Sequence, residues 1–117
     1  MENLFLQYPK CSTCRKAKKC LEENGIKFID RDITIDNPTK EELKKWYEKS
    51  GLELKRFFNT SGVLYREMGL KDKIKEMTED EMLELLATDG KLVKRPILVN
   101  DNKVLVGFKE DDYKNLK

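Results

Sequence analysis

Near the N-terminus, a short apolar run (Leu4, Phe5, Leu6) leads directly into Tyr8-Pro9-Lys10-Cys11-Ser12-Thr13-Cys14-Arg15. Apolar residues at helical spacing (Ala17, Leu21) then lead out of it to Gly25. This predicts a buried strand over residues 3–7, a tight turn carrying Cys-x-x-Cys, and a helix over residues 12–24 with Gly25 just past its C-cap. Residues 27–33 alternate (Phe28, Ile29, Arg31, Ile33) and read as a second strand. Strand, helix and strand in so short a span imply a right-handed parallel crossover, which restricts the chain to α/β architectures. Cys11 would then face the free amides of the helix's first turn, whose positive end favours a thiolate.

The rest of the chain follows the same logic. Asn37-Pro38 interrupts the pattern, and Thr39-x-x-Glu42 is a capping-box signature for a helix to about Lys49, with Leu43, Trp46 and Tyr47 on one face. A short helix or turn at residues 54–58 and a short helical piece near 63–68 follow, separated by the polar Asn59-Thr60-Ser61-Gly62. Thr78-x-x-Glu81 opens another helix with Met82, Leu85 and Leu86 as its stripe. Residues 95–99 and 103–107 read as a hairpin around Asn100-Asp101-Asn102, with a last short helix from about Lys109. The order βαβ, helices, ββα means that the two ends must pair with each other in one mixed four-stranded sheet. The 117 residues are expected to form a single domain, with a helical insertion at about 38–90.

Composition narrows the function. The net charge of +2 arises from interleaved signs and gives no basis for nucleic acid binding. No apolar stretch approaches the roughly 20 residues a membrane span requires, and Met1-Glu2-Asn3 does not resemble the start of a signal peptide. A cytoplasmic protein is expected. Three cysteines without an export signal do not make a structural disulfide framework. The chain has no histidine, which excludes Cys-His and Ser-His-Asp catalysis and leaves too few ligands for a catalytic zinc. No bound cofactor or metal is expected.

Cys-x-x-Cys between a strand and a helix is the thioredoxin-like context. Thiols three apart at a helix start lie on one side and can close a small disulfide. Cys11 is therefore the candidate nucleophile and Cys14 its resolving partner; packing of both thiols, or half of a metal site, are the alternatives. Cys20 reads as a core residue. In thioredoxin-like folds a cis-proline precedes the strand facing the active cysteine, which makes Arg95-Pro96 the second site feature. Arg95 would then hold an anion or the thiolate. Residues 59–62 read as an anion-binding loop or, slightly favoured, a helix-ending turn. Arg66 is a weaker candidate for substrate contact.

Cys11-Ser12-Thr13-Cys14-Arg15, Phe57-Phe58-Asn59-Thr60-Ser61-Gly62, Tyr65-Arg66-Glu67-Met68-Gly69-Leu70 and Arg95-Pro96-Ile97 resemble the arsenate reductase (ArsC)/Spx family, across essentially the whole chain. The resemblance implies a thioredoxin-like fold with a helical insertion, a nucleophile at Cys11 and a loop arginine at Arg15. Of the three further arginines that the family's arsenate reductases use as an oxyanion cage, one falls on Arg95; the other two fall on Asn59 and Gly107, which carry no charge. Tyr8 stands where that family has a histidine, and Cys14 where it has a serine. The implied activity is therefore a thiol–disulfide or arsenate-reductase-like oxidoreductase. Its reductant would be glutathione, glutaredoxin or thioredoxin, and Ser12, Thr13, Arg15, Asn59 and Pro96 would contact substrate or anion. The alternative it implies is an Spx-like redox-sensing regulator that binds the RNA polymerase alpha subunit.

Overall fold

The computed structural model describes residues 2–116. Four strands, β1 (Leu4–Gln7), β2 (Ile29–Asp32), β3 (Ile97–Val99) and β4 (Val104–Val106), form one sheet in the order β2-β1-β3-β4. β1 runs parallel to β2 and antiparallel to β3, and β3 runs antiparallel to β4. Helices α1 (Ser12–Glu23), α2 (Lys40–Ser50), α3 (Val63–Glu67), α4 (Leu70–Lys73), α5 (Glu79–Thr88) and α6 (Glu110–Lys114) complete the α/β chain. This is the expected thioredoxin-like βαβ–ββα arrangement, with helices between its two halves.

The strand period of two divides the core. Phe5 and Leu98, paired across β1 and β3, point to one face of the sheet, where they pack with Ala17 and Leu21 of α1 and Tyr113 of α6. Their neighbours Leu6 and Ile97 point to the other face, against Leu43, Trp46, Phe57 and Leu86 of the intervening segment. Each face is closed by helices whose apolar residues recur at three- and four-residue spacing.

Local chemistry sets the boundaries. Asn24 is the C-cap of α1 and Gly25 follows at φ 66°, a left-handed position that glycine adopts without a Cβ penalty. Both capping boxes form: the Thr39 hydroxyl accepts from the Glu42 amide and the Thr78 hydroxyl from the Glu81 amide. In the hairpin, Asn100 Oδ1 accepts the amides of Asn102 (2.9 Å) and Lys103 (2.8 Å). The Arg95–Pro96 peptide is cis, as expected.

β2 is shorter than the alternation over 27–33 suggests. It is an edge strand with Ile29 half exposed, and the chain turns at Asp32, whose Oδ1 accepts from the Thr34 amide (2.9 Å) and hydroxyl (2.7 Å). Ile33, two residues beyond Arg31 and with its amide still bonded to the Gln7 carbonyl (2.9 Å), lies in the core on the Leu6 side of the sheet. α4 adds a turn of helix after Gly69 that the apolar spacing alone does not mark off. Among the described residues, no helix is long and apolar enough to cross a membrane.

Candidate functional site

Cys11 is the N-cap of α1, with extended backbone (φ −89°, ψ 122°). Its amide donates to the Tyr8 carbonyl (2.9 Å), closing the turn after β1, and its carbonyl accepts the Arg15 amide (3.1 Å), starting the helix. An N-cap side chain faces the free amides of the first turn, although the Cys11 sulfur makes no side-chain cap hydrogen bond among the described residues. Partial burial acts to raise this thiol, but the Cys14 amide, the Cys14 thiol and the Arg95 guanidinium together hold it below the ordinary cysteine range.

Cys14, one turn into the helix, is fully enclosed. Its sulfur accepts the Tyr8 amide at 3.4 Å. Burial pushes its thiol up to about 12, and the neighbouring Cys11 sulfur adds to the shift. The pair thus divides into a half-buried, acidified thiol and a buried, protonated one beside it. All three cysteines are free thiols.

Arg95 arrives from the far end of the sequence. The segment before β3 is pinned to the loop following the 3-10 turn Leu54–Phe57: the Lys94 amide donates to the Phe57 carbonyl and the Asn59 amide to the Leu92 carbonyl, both at 2.7 Å. The guanidinium carbon then stacks 4.8 Å from the centre of the Tyr8 ring, while Arg95 Nη1 is buried with no hydrogen-bond partner among the described residues. An unpartnered buried guanidinium N–H is costly, and Arg95 lines the same cleft as Cys11.

Cys11, Thr13, Asn59, Ser61, Lys94 and Arg95 line an open cleft of about 340 Å³. Ser12 and Arg15 are exposed on the first turn of α1 and are not part of its lining, and Arg66 is exposed on α3. Pro96 is buried beneath the cleft wall, its carbonyl accepting the Gly107 amide (2.8 Å). Cys20 lies elsewhere, packed with Phe5 and Tyr113. It borders a larger depression of about 510 Å³ between α1 and α6 that shares no residue with the Cys11 cleft. That depression exceeds the cleft in volume but lacks an acidified thiol, so the cleft is the candidate site.

Sequence reasoning did not single out four residues of this lining, Ser61, Gly62, Val63 and Lys94. Lys94 precedes Arg95 in extended chain, where neighbouring side chains are expected on opposite sides, and Ser61 sat in a loop read more as a turn than as a ligand site. Among the described residues, no group of three or more cysteine or acidic side chains converges as metal ligands.

Three comparisons place this geometry among known proteins. The YusI protein of Bacillus subtilis is 59% identical over 113 residues, spanning 97% of this chain and 96% of its own length. The regulatory protein MgsR of Bacillus subtilis is 36% identical over 104 residues, spanning 89% of this chain and 81% of its own length. An ArsC-family-related protein of Bacteroides fragilis has a crystal structure that superposes with a TM-score of 0.97 at 59% identity, covering 100% of this chain and 98% of that one. The ArsC family profile itself aligns with residues 6–116, taking in both cysteines, the residue 59–62 loop and Arg95-Pro96. A chain matched over nearly its full length in this way, with the expected sheet order and the cysteine pair at the expected helix start, belongs to the ArsC family.

Proposed function

We propose that this protein is a thiol–disulfide oxidoreductase in which Cys11 is the nucleophile and Cys14 resolves the intermediate. The observation that carries this reading is the asymmetry of the pair: an acidified Cys11 sulfur open to a cleft, in contact with a buried thiol that keeps its proton. The thiolate is the attacking form of cysteine, so lowering only the accessible thiol fixes which sulfur attacks first.

In this mechanism the Cys11 thiolate attacks one sulfur of a substrate disulfide. A Cys11–S bond forms, the substrate S–S bond breaks, and one half leaves as a thiolate that takes a proton from water. Cys14 then loses its proton to solvent and attacks the Cys11 sulfur. The Cys11–Cys14 disulfide forms and the second substrate half leaves as a thiol. Two electrons pass from the protein dithiol to the substrate, and glutathione, glutaredoxin or thioredoxin returns them. Arg95 and the first-turn amides hold negative charge on the Cys11 sulfur. The uncharged Asn59 and Gly107 argue for disulfides over a multiply charged oxyanion such as arsenate.

The test is NADPH-coupled reduction of 2-hydroxyethyl disulfide with glutathione or thioredoxin as donor, with mass spectrometry of trapped adducts. Cys11→Ser is expected to abolish turnover, and Cys14→Ser to accumulate a mixed disulfide on Cys11. Turnover persisting in Cys11→Ser, or adducts confined to another cysteine, would overturn the reading. The similarity to a regulatory protein, MgsR, supports a second reading: the redox-controlled regulator that the Spx resemblance implies, binding the RNA polymerase alpha subunit. That reading predicts stoichiometric binding to the alpha subunit that is lost on reduction, and no turnover.

A further inference from the structure

We infer that Lys94 makes the cleft selective for small disulfides that carry carboxylates, acting as a specificity residue beside the Cys11 sulfur. The inference rests on the thiol–disulfide reading above and names the substrate class for it.

The charge distribution supports it. The cleft is lined by two cations, Lys94 and Arg95, and by no aspartate or glutamate. The chain carries 22 acidic residues, and elsewhere cations find them: Lys18 pairs with Asp30, Arg31 with Glu42, and Lys40 with Asp80 and Glu84. Among the described residues, neither Lys94 nor Arg95 has a carboxylate partner, and Arg95 Nη1 has no acceptor at all. With the Cys11 thiolate set against Arg95, Lys94 leaves this concave surface net positive, which raises the local concentration of anions and orients them.

Lys94 is also held in place. Its backbone is fixed by the 2.7 Å bond to the Phe57 carbonyl, and its stem runs past Gly107, where an added Cβ would lie 3.6 Å from Lys94 Cε. Gly107 sits at φ 83° with its amide bonded to the Pro96 carbonyl, so the backbone there favours glycine and leaves this space to the lysine stem. The half-exposed Val63 side chain adds apolar surface to the same cleft. The volume, about 340 Å³, lies at the lower end of small-ligand sites (roughly 300–1,000 Å³). A compact disulfide with one carboxylate per half fits this combination of charge, size and partial apolarity. The exchange itself is the two-step transfer given above.

The experiment compares three aliphatic disulfides of similar size: 3,3′-dithiodipropionate (dianionic), 2-hydroxyethyl disulfide (neutral) and cystamine (dicationic). The wild-type protein is expected to rank them anionic, neutral, cationic in kcat/KM, with the spread shrinking as salt is added. Lys94→Gln is expected to lower the anionic-to-neutral ratio by about two- to fivefold, mostly through KM, and Lys94→Glu by about tenfold or more, in keeping with the strength of solvent-accessible charge pairs. A wild-type protein with no charge preference, or Lys94 variants that lower all three substrates in parallel, would overturn the inference. Should none of the three be turned over, the oxidoreductase reading itself fails. The role of Lys94 is then decided by the rate ratio of iodoacetate to iodoacetamide at Cys11: a drop in Lys94→Gln supports an anion-selecting lysine, and an unchanged ratio removes it.

Discussion

Residues 11 and 14 show how one turn of helix can give two identical side chains opposite chemistry. Cys11 caps the helix and collects the amide and thiol of Cys14 and the guanidinium of Arg95, which outweigh its partial burial. Cys14 sits inside the helix under Tyr8, where burial dominates and keeps the proton on. Another buried polar group, the Tyr113 hydroxyl, has no hydrogen-bond partner among the described residues, and burial pushes its pKa well above the usual phenol range. The ring, by contrast, is fully buried with edge-to-face contacts to Phe5 and Phe108. Removing an unsatisfied hydroxyl relieves a desolvation penalty, whereas removing the ring leaves a cavity. Tyr113→Phe is therefore expected to match or exceed wild-type stability in urea unfolding, and Tyr113→Ala to lose about 3–5 kcal/mol. A loss above about 2 kcal/mol for Tyr113→Phe would mean that the hydroxyl has a partner after all.

At the scale of elements, the turn from β2 into α2 is held by one arginine. Arg31 forks onto the Glu42 carboxylate (2.8 and 2.9 Å) and also reaches the carbonyls of Asp36 (2.9 Å) and Asn37 (3.3 Å). Glu42 in turn accepts the Thr39 amide (3.0 Å), so a single carboxylate joins the strand to the helix cap. The Arg31 bond, with further help from the Thr39 amide, holds the Glu42 carboxyl below the usual carboxylate range despite its partial burial. Because its folded value lies below its unfolded one, the contribution is complete above the unfolded value and is lost as pH falls through the folded one. Glu42→Gln keeps the cap acceptor and removes the charge. It is expected to cost about 1 kcal/mol near neutral pH, discounted because the glutamate side chain is 33% exposed. Urea midpoints measured on both proteins down to pH 3 should converge as the wild-type carboxylate is protonated, and a gap that stays constant with pH would show that the charge was irrelevant.

At the scale of the molecule, the intervening helical segment must be returned to the sheet so that β3 can enter beside β1. Gly90 makes that return possible. A Cβ there would lie 1.7 Å from the Ile33 carbonyl oxygen, a backbone atom that cannot swing aside. Gly90→Ala is therefore expected to cost about 3 kcal/mol or more in urea unfolding. It should also disturb Arg95, because residues 92–94 form the connection that bonds to the Phe57 and Asn59 loop. Stability within about 0.5 kcal/mol of wild type would show that the approach is looser than this.

Sequence alone determined the elements whose causes are local: the first strand and its helix, the glycine stop at Gly25, the two capping boxes at Thr39 and Thr78, and the Asn100 hairpin. Each depends on backbone amides and side chains within a few residues of one another, so composition and spacing are enough to find it. The short edge strand β2 and the helix α4 were less legible, because packing and turns set their limits rather than period. Only the tertiary structure decided which residues meet. Cys11 and Arg95 share a cleft because β1 pairs with β3 and the chain before β3 is bonded to the loop at Phe57 and Asn59. The same pairing brought in Lys94 and Ser61 and left Arg15 and Ser12 outside. Cys11 and Cys14 differ in acidity for the same reason: a helix start supplies amides to both neighbourhoods, but only packing decides which sulfur is buried and which faces the cleft.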